Sequence, residues 1–131
     1  MSNNDQKPCD TLTQEQKELA PLIEKMLDFY KKRDWEKFHS PKNLAMVIAS
    51  EVGELIDHFR WLTEDQSYHL EPKALEEVRD EIGDVFNALV YLSHKLGINP
   101  IEASHHKLAK LERKYPEEAS RGKALKHSNY Q

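Results

Sequence analysis

Glu81-Ile82-Gly83-Asp84-Val85-Phe86-Asn87-Ala88-Leu89-Val90-Tyr91-Leu92 is the stretch on which the fold turns. Between Val85 and Leu92 only Asn87 is strongly polar. A helix here is therefore apolar nearly all round and has to be buried on more than one face. Outward from this stretch, helical spacing holds from about Lys73 to Leu96, with Leu75, Val78, Ile82, Val85, Leu89 and Leu96 as its main stripe. Gly97 is placed to cap its C-terminus. Glu81 and Asp84 lie to one side of the stripe, alongside Ala88, Tyr91 and Leu92. One thin four-helix subunit cannot cover so much apolar circumference, so the pattern predicts an oligomer with this helix near its centre.

A second acidic pair, Glu51-Val52-Gly53-Glu54, stands on the preceding helix, expected from Pro41 or Lys42 to Leu62 with Ser40 as N-cap. Leu44, Ile48, Val52, Leu55 and Phe59 share one arc of that helix. Glu51 falls inside the edge of the arc, and Glu54 just beyond it near His58 and Trp61. An acidic pair three residues apart is ordinarily a solvated surface feature. Two such pairs bordering apolar stripes suggest instead four carboxylates facing one another, which is costly unless a cation neutralises them. Hard oxygen donors select Mg²⁺, Mn²⁺ or Ca²⁺, which points to metal-assisted phosphate chemistry.

The remainder is helical too. A first helix is expected from Thr13 to Arg33, with Leu19, Leu22, Ile23, Met26, Leu27 and Tyr30 at helical spacing and Pro21 marking a kink or the true start. Asp34 to Pro41 reads as an aromatic-rich connector and Thr63 to Pro72 as a polar loop. A last helix runs from Asn99 or Pro100 to Lys114 and is ended by Pro116. Residues 1–12 read as a disordered segment, 13–115 as one all-α domain, and 116–131 as an irregular basic tail. The fold class is thus an all-α, four- to five-helix bundle subunit.

The 131 residues carry a net charge of −4, which gives no support to nucleic-acid binding. Neither a signal peptide nor an apolar span of membrane length is legible, and the lone Cys9 cannot form an internal disulfide. A cytoplasmic location without membrane association is the expectation. Trp35, Phe38, His39 and Trp61 bracket the acidic helix and, with Asn43 or Asn87, can supply aromatic faces and hydrogen bonds to a base. For Phe38 core packing is the simpler expectation; Trp61, beside polar residues, is not read as core. His58 is read as a polar neighbour of the acids, His94, His105 and His106 as surface residues, and Lys31-Lys32-Arg33 as a solvated helix end.

With these segments in view, the chain resembles the MazG-like all-α nucleoside triphosphate pyrophosphohydrolases, closest to their dCTP pyrophosphatase branch. The signature is an ExxE pair, a spacer and an ExxD pair, here Glu51/Glu54 and Glu81/Asp84 with 26 residues between Glu54 and Glu81. Arg33-Asp34-Trp35, Phe38-His39, Pro41, Asn43-Leu44, Phe59-Arg60-Trp61, Lys114-Tyr115-Pro116 and Ser120-Arg121-Gly122 extend the likeness over roughly Leu22 to Lys126. The resemblance implies hydrolysis of a (deoxy)nucleoside triphosphate, a pyrimidine one such as dCTP, to the monophosphate and pyrophosphate. It also implies Mg²⁺, replaceable by Mn²⁺, and a homotetramer. Glu51, Glu54, Glu81 and Asp84 would be metal ligands, with Glu51 or Glu54 also the catalytic base. Trp35, His39 and Trp61 would meet the nucleoside, joined on the residue reading above by Asn87, and Lys107, Lys114, Tyr115 and Arg121 would meet the phosphates. The chain departs from the dCTP branch at Ala88, where that branch tends to carry Tyr, and at Leu111, where it tends to carry Asn.

Two other readings remain. A di-iron carboxylate bundle wants two Glu-x-x-His pairs, and the chain offers only Glu102-Ala103-Ser104-His105. A non-catalytic helical dimerisation or adaptor module would use its acids for solubility alone.

Overall fold

The structure is a computed structural model that describes residues 14–126, with side chains described from Leu19 onward. The expected disordered segment 1–12, the helix start at Thr13 and the last five residues of the tail lie outside the described residues. Among the described residues there are six α-helices, one 3-10 turn and no strand. They are α1 (Gln14–Lys32), α2 (Pro41–Asp57), α3 (Glu64–Ser67), α4 (Pro72–Lys95), α5 (Pro100–Lys114) and α6 (Glu117–Ser120), with the 3-10 turn at Glu36–Phe38. None of the helices is long and apolar enough to cross a membrane. The chain divides into two compact units at Ile98/Asn99, the first holding α1 to α4 and the second α5 and α6.

Local chemistry sets where each helix begins and ends. Ser40 Oγ accepts from the Asn43 N–H at 3.1 Å, and Pro41 fills the first helical position of α2. Asn99 Oδ1 does the same for α5, accepting from the N–H groups of Ile101 and Glu102. At the end of α4 the Ile98 N–H donates to the Ser93 carbonyl and the Gly97 N–H to that of His94, with Gly97 at φ +67°. This is the Schellman arrangement the glycine predicts. α1 ends the same way without a glycine: the Trp35 N–H donates to the Tyr30 carbonyl and the Asp34 N–H to that of Lys31. Asp34 takes the left-handed position at φ 54°, which aspartate tolerates better than most residues. α1 runs through Pro21 without a break in assignment.

Several expectations need correction. α2 ends at Asp57, not Leu62, because the N–H groups of Phe59 and Arg60 both turn back to the Ile56 carbonyl. Phe59-Arg60-Trp61 therefore forms a turn. The polar loop contains α3, a single turn closed by a capping box in which Thr63 and Gln66 satisfy each other's backbone N–H groups. The tail likewise carries a single turn, α6. Phe38 is exposed under the Lys37 ammonium rather than packed in the core.

In the first unit α2 pairs chiefly with α4, and α1 packs more lightly on α4. Leu19 and Met26 of α1, Leu44 of α2, and Val78, Ala88, Val90 and Tyr91 of α4 form the buried core. The face of α4 turned inward is the one bearing Val78, Glu81, Ala88 and Tyr91. Of the main stripe read from the sequence, Leu75, Ile82, Leu89 and Leu96 are exposed at 43–55 %. Val78 of the same stripe is buried and Val85 half-buried, so the stripe is divided between core and surface, because an all-round apolar helix gives no phase in sequence.

Truncation at the α2–α4 seam should therefore cost far more than loss of an exposed aromatic. Leu44→Ala is expected to lose about 2–5 kcal/mol in denaturant unfolding. Trp61→Ala, at a side chain 83 % exposed, should stay within about 0.5 kcal/mol of the parent. Equal effects would contradict this placement of the core.

Candidate metal centre

α2 and α4 carry the two acidic pairs into a common seam. Glu51, Glu81 and Asp84 each offer a carboxylate oxygen, and these oxygens lie within 4.8 Å of one another. Glu51 and Glu81 are half-buried and Asp84 is exposed. Glu54, one turn after Glu51 and exposed, stands outside this convergence but shares a hydrogen bond with Glu51. Two carboxyl groups can hydrogen-bond only if one keeps a proton. The Glu51 carboxyl is accordingly pushed up to about 7, first by that hydrogen bond, then by burial, then by the charges of Glu54, Asp84 and Glu81.

The donor set fits a hard divalent cation. All three convergent groups are oxygens, and Glu51 Oε2 and Glu81 Oε2 are buried without a hydrogen-bond partner, an arrangement a protein ordinarily avoids. His58 contributes no ligand atom to the cluster. Its ring lies between Glu77 and Glu81, with Nδ1 3.8 Å from Glu77 Oε2 and Nε2 3.9 Å from Glu81 Oε1. Sequence reasoning misses Glu77 because nothing in its spacing distinguishes it from a solvated acid. Glu102 and His105, the pair a di-iron centre would draw on, take no part in the convergence.

The other candidate residues are dispersed. His39 packs edge-on against Tyr30 and Tyr91, whose rings stack 4.8 Å apart. Burial pulls the His39 imidazole below its ordinary value, Lys95 pulls it the same way, and Glu36 opposes them. Burial raises the Tyr30 phenol, and the Tyr91 phenol and the Asp84 carboxylate add to the rise. Tyr91 reads in sequence as an apolar-face residue, with no signal of a place at the site. Trp35 lies outside that group, edge-on to Phe29 at 5.9 Å. Trp61 projects into solvent with the Arg60 guanidinium 5.2 Å from its ring. Asn87 is half-buried on α4, one turn after Asp84.

Lys107, Lys114, Tyr115 and Arg121 belong to the second unit. There Tyr115 and Arg121 line a cleft of about 610 Å³ with Glu112, Glu117 and Ser120. Arg121 pairs with Glu117 at 3.0 Å, Lys114 Nζ sits 5.8 Å from the Tyr115 ring, and Lys107 is exposed on α5. In the first unit a smaller cleft of about 280 Å³ is lined by His58, Leu62, Gln66, His69, Leu70, Glu71 and Ala74.

Comparison with known proteins places the chain in a family. The model of the MazG-like family matches residues 46–128, which include both acidic pairs. The chain is 35 % identical over 104 residues to dCTP pyrophosphatase 1 of Mus musculus, a match covering 78 % of this chain and 61 % of the relative. It is 31 % identical over 103 residues to dCTP pyrophosphatase 1 of Homo sapiens, covering 77 % and 61 %. The matched stretch thus spans about three fifths of the length of these curated relatives. A crystal structure of a pyrophosphatase from Archaeoglobus fulgidus superposes with a TM-score of 0.73 at 37 % identity, covering 84 % of this chain and 99 % of that one.

The raised Glu51 carboxyl makes stability depend on pH. Between the ordinary glutamate value of 4.5 and about 7, the folded chain holds a proton that the unfolded chain has released. Its stabilising contribution is complete below 4.5 and is lost as pH rises through about 7. The metal-free protein should therefore melt at a lower temperature at pH 8 than at pH 5.5, and Glu51→Gln should shrink that difference. Added divalent cation should raise the melting temperature more at pH 8 than at pH 5.5, where protons compete. A cation effect equal at both pH values would refute the shared-proton account.

Proposed function

The chain belongs to the MazG-like family, and from that membership and the acidic convergence we propose that it is a Mg²⁺-dependent nucleoside triphosphate pyrophosphohydrolase. The substrate is a (deoxy)nucleoside triphosphate, a pyrimidine one such as dCTP, cleaved to the monophosphate and pyrophosphate. The names of the relatives and the aromatic residues flanking α2 support the substrate class. The single observation that carries the proposal is the meeting of Glu51, Glu81 and Asp84, with one oxygen of Glu51 and one of Glu81 buried and unpartnered. A cytoplasmic location is part of the same reading.

Glu51, Glu81 and Asp84, with Glu54 beside Glu51, would hold the ion. When bound, Mg²⁺, or Mn²⁺ in its place, supplies charge neutralisation for the triphosphate and acidifies a water. Glu51, whose carboxyl is pushed up to about 7 in the metal-free chain, or Glu54 beside it would accept a proton from the attacking water once its carboxylate is free. Lys107, Lys114, Tyr115 and Arg121 meet the phosphates, where fixed cations offset charge gathering on the leaving pyrophosphate. Trp35, His39, Trp61 and Asn87 serve the nucleoside. Of these, His39 is seated against two aromatic rings, Tyr30 and Tyr91.

The direct test is product analysis over a panel of nucleoside triphosphates with Mg²⁺. Monophosphate and pyrophosphate are expected; orthophosphate with diphosphate would refute α–β cleavage. Glu54→Gln and Asp84→Asn should each lower turnover by more than about 100-fold while the metal-free chain stays at least as stable, since each removes charge from a repelling cluster. Near-parental activity in either variant would remove that residue from the site.

The same reading includes assembly into a homo-oligomer, with the tetramer count taken from the family resemblance. Leu75, Ile82, Leu89 and Leu96 recur every seventh residue on the exposed arc of α4, flanked by Phe86, which is a helix-pairing seam without a partner inside the subunit. Ala88, in contrast, is buried within its own subunit, so it reports on folding and not on assembly. Phe86→Glu or Leu89→Glu should convert the protein to a 15.3 kDa species in light scattering with its helical content retained. A wild type that already scatters as the monomer would overturn the assembly.

A further inference from the structure

Glu81 is held from behind. His58 closes α2, its backbone N–H donating to the Leu55 and Ile56 carbonyls, and its side chain is only 22 % exposed. Its two ring nitrogens lie against two acids one turn apart on α4: Nδ1 against Glu77 and Nε2 against Glu81. Lys73 Nζ lies 3.9 Å from the other Glu77 oxygen, Oε1. A row of alternating partners, Lys73, Glu77, His58 and Glu81, therefore runs along α4 and ends at the carboxylate convergence. Neither His58 nor Glu77 belongs to the ExxE…ExxD signature, and neither is in the convergent set.

We propose that His58 is a positioning residue for Glu81, and that Glu77 holds the His58 ring in place. This inference rests on reading the acids as a metal centre. A glutamate carboxylate turns freely about its last torsion, which is broad and shallow. An imidazole whose Nε2 lies 3.9 Å from Glu81 Oε1, beyond hydrogen-bond distance but in the way of that rotation, limits the plane and leaves Oε2, buried and unpartnered, as the oxygen available to a cation. The ring also separates Glu77 from Glu81, which at i, i+4 would otherwise repel along the helix. Outer partners that orient a ligand in this way typically account for 10–100-fold in metal affinity.

The test is Mn²⁺ binding to the full chain, read by electron paramagnetic resonance without nucleotide. At about 0.15 M salt, exposed charges more than about 8 Å apart are largely screened. His58→Leu should weaken Mn²⁺ binding by roughly tenfold or more. His58→Gln, whose amide can still donate to Glu81, should keep most of the affinity. Glu77→Gln should weaken binding less than His58→Leu, and adding it to His58→Leu should cost nothing further. Unchanged affinity in His58→Leu overturns the positioning role, and equal losses in His58→Leu and His58→Gln overturn the donor role. Losses that multiply in the double variant overturn the action of Glu77 through His58. Should His58→Leu fail to fold, Glu77→Gln, at a half-exposed side chain, decides, and unchanged affinity there overturns the inference. A wild type that binds no Mn²⁺ refutes the metal-centre reading itself, an outcome distinct from all of these.

Discussion

The packing of α2 on α4 forces like charges together, and the rest of the site follows from that constraint. Leu44 and Val78 are buried within the first unit, and the same two helices carry Glu51, Glu81 and Asp84 into reach of one another. At an effective dielectric of about 20, two unit charges about 5 Å apart repel by roughly 3 kcal/mol. Three such charges would oppose the apolar packing that brings them together. Without a cation this repulsion is felt at Glu51, whose carboxyl is pushed up to about 7 by its hydrogen bond to Glu54, by burial and by the neighbouring charges. The site is thus built under tension, which a divalent ion would relieve more completely than a proton does.

A second cluster in the first unit is aromatic. The stacked Tyr30 and Tyr91 rings and the edge-on His39 form an aromatic cluster between α1, the connector and α4. Tyr91 Oη and His39 Nδ1 are buried there without partners, unusual for groups that cost about 1–3 kcal/mol each when unsatisfied. The cluster is placed by helix ends. The Schellman turn at Asp34 releases the chain from α1 just after Tyr30, and the Ser40 cap starts α2 just after His39. Asn43 Nδ2 donates to the Phe38 carbonyl and ties the connector to α2.

Legibility in the sequence tracks the length of the periodic signal. The long helices α1, α2, α4 and α5 stand out because apolar spacing accumulates over four or more turns, and prolines or caps mark their starts. α3 and α6 are each one turn, too short for any period to register, although the Thr63–Gln66 spacing is itself a capping-box signal. The early end of α2 has no marker, since neither glycine nor proline stands between His58 and Leu62. The acidic pairs are visible as motifs, but nothing in the sequence singles out Glu77 and Tyr91 for the site. Their importance comes from the register between helices, which sets what lies opposite them. Gly53 and Gly83, one in each pair, have nothing within 4 Å of where a Cβ would stand, so close packing inside the subunit does not explain them.

α4 explains why the sequence signals burial so strongly yet misleads about its direction. One arc bears Val78, Glu81, Ala88 and Tyr91 and faces its own subunit; another bears Leu75, Ile82, Leu89 and Leu96 and faces outward. A helix with a single buried arc can carry a fully polar opposite side, and α4 has none between Val85 and Leu92. The acids therefore sit on the arc shared with α2, on the same helix as an unpartnered apolar seam. Any helix that packs on that seam presses on the backbone carrying Glu81 and Asp84. If the chain assembles through that seam and holds a cation at the acids, one helix carries both, and a substitution on the outer arc would reach the carboxylates through its backbone.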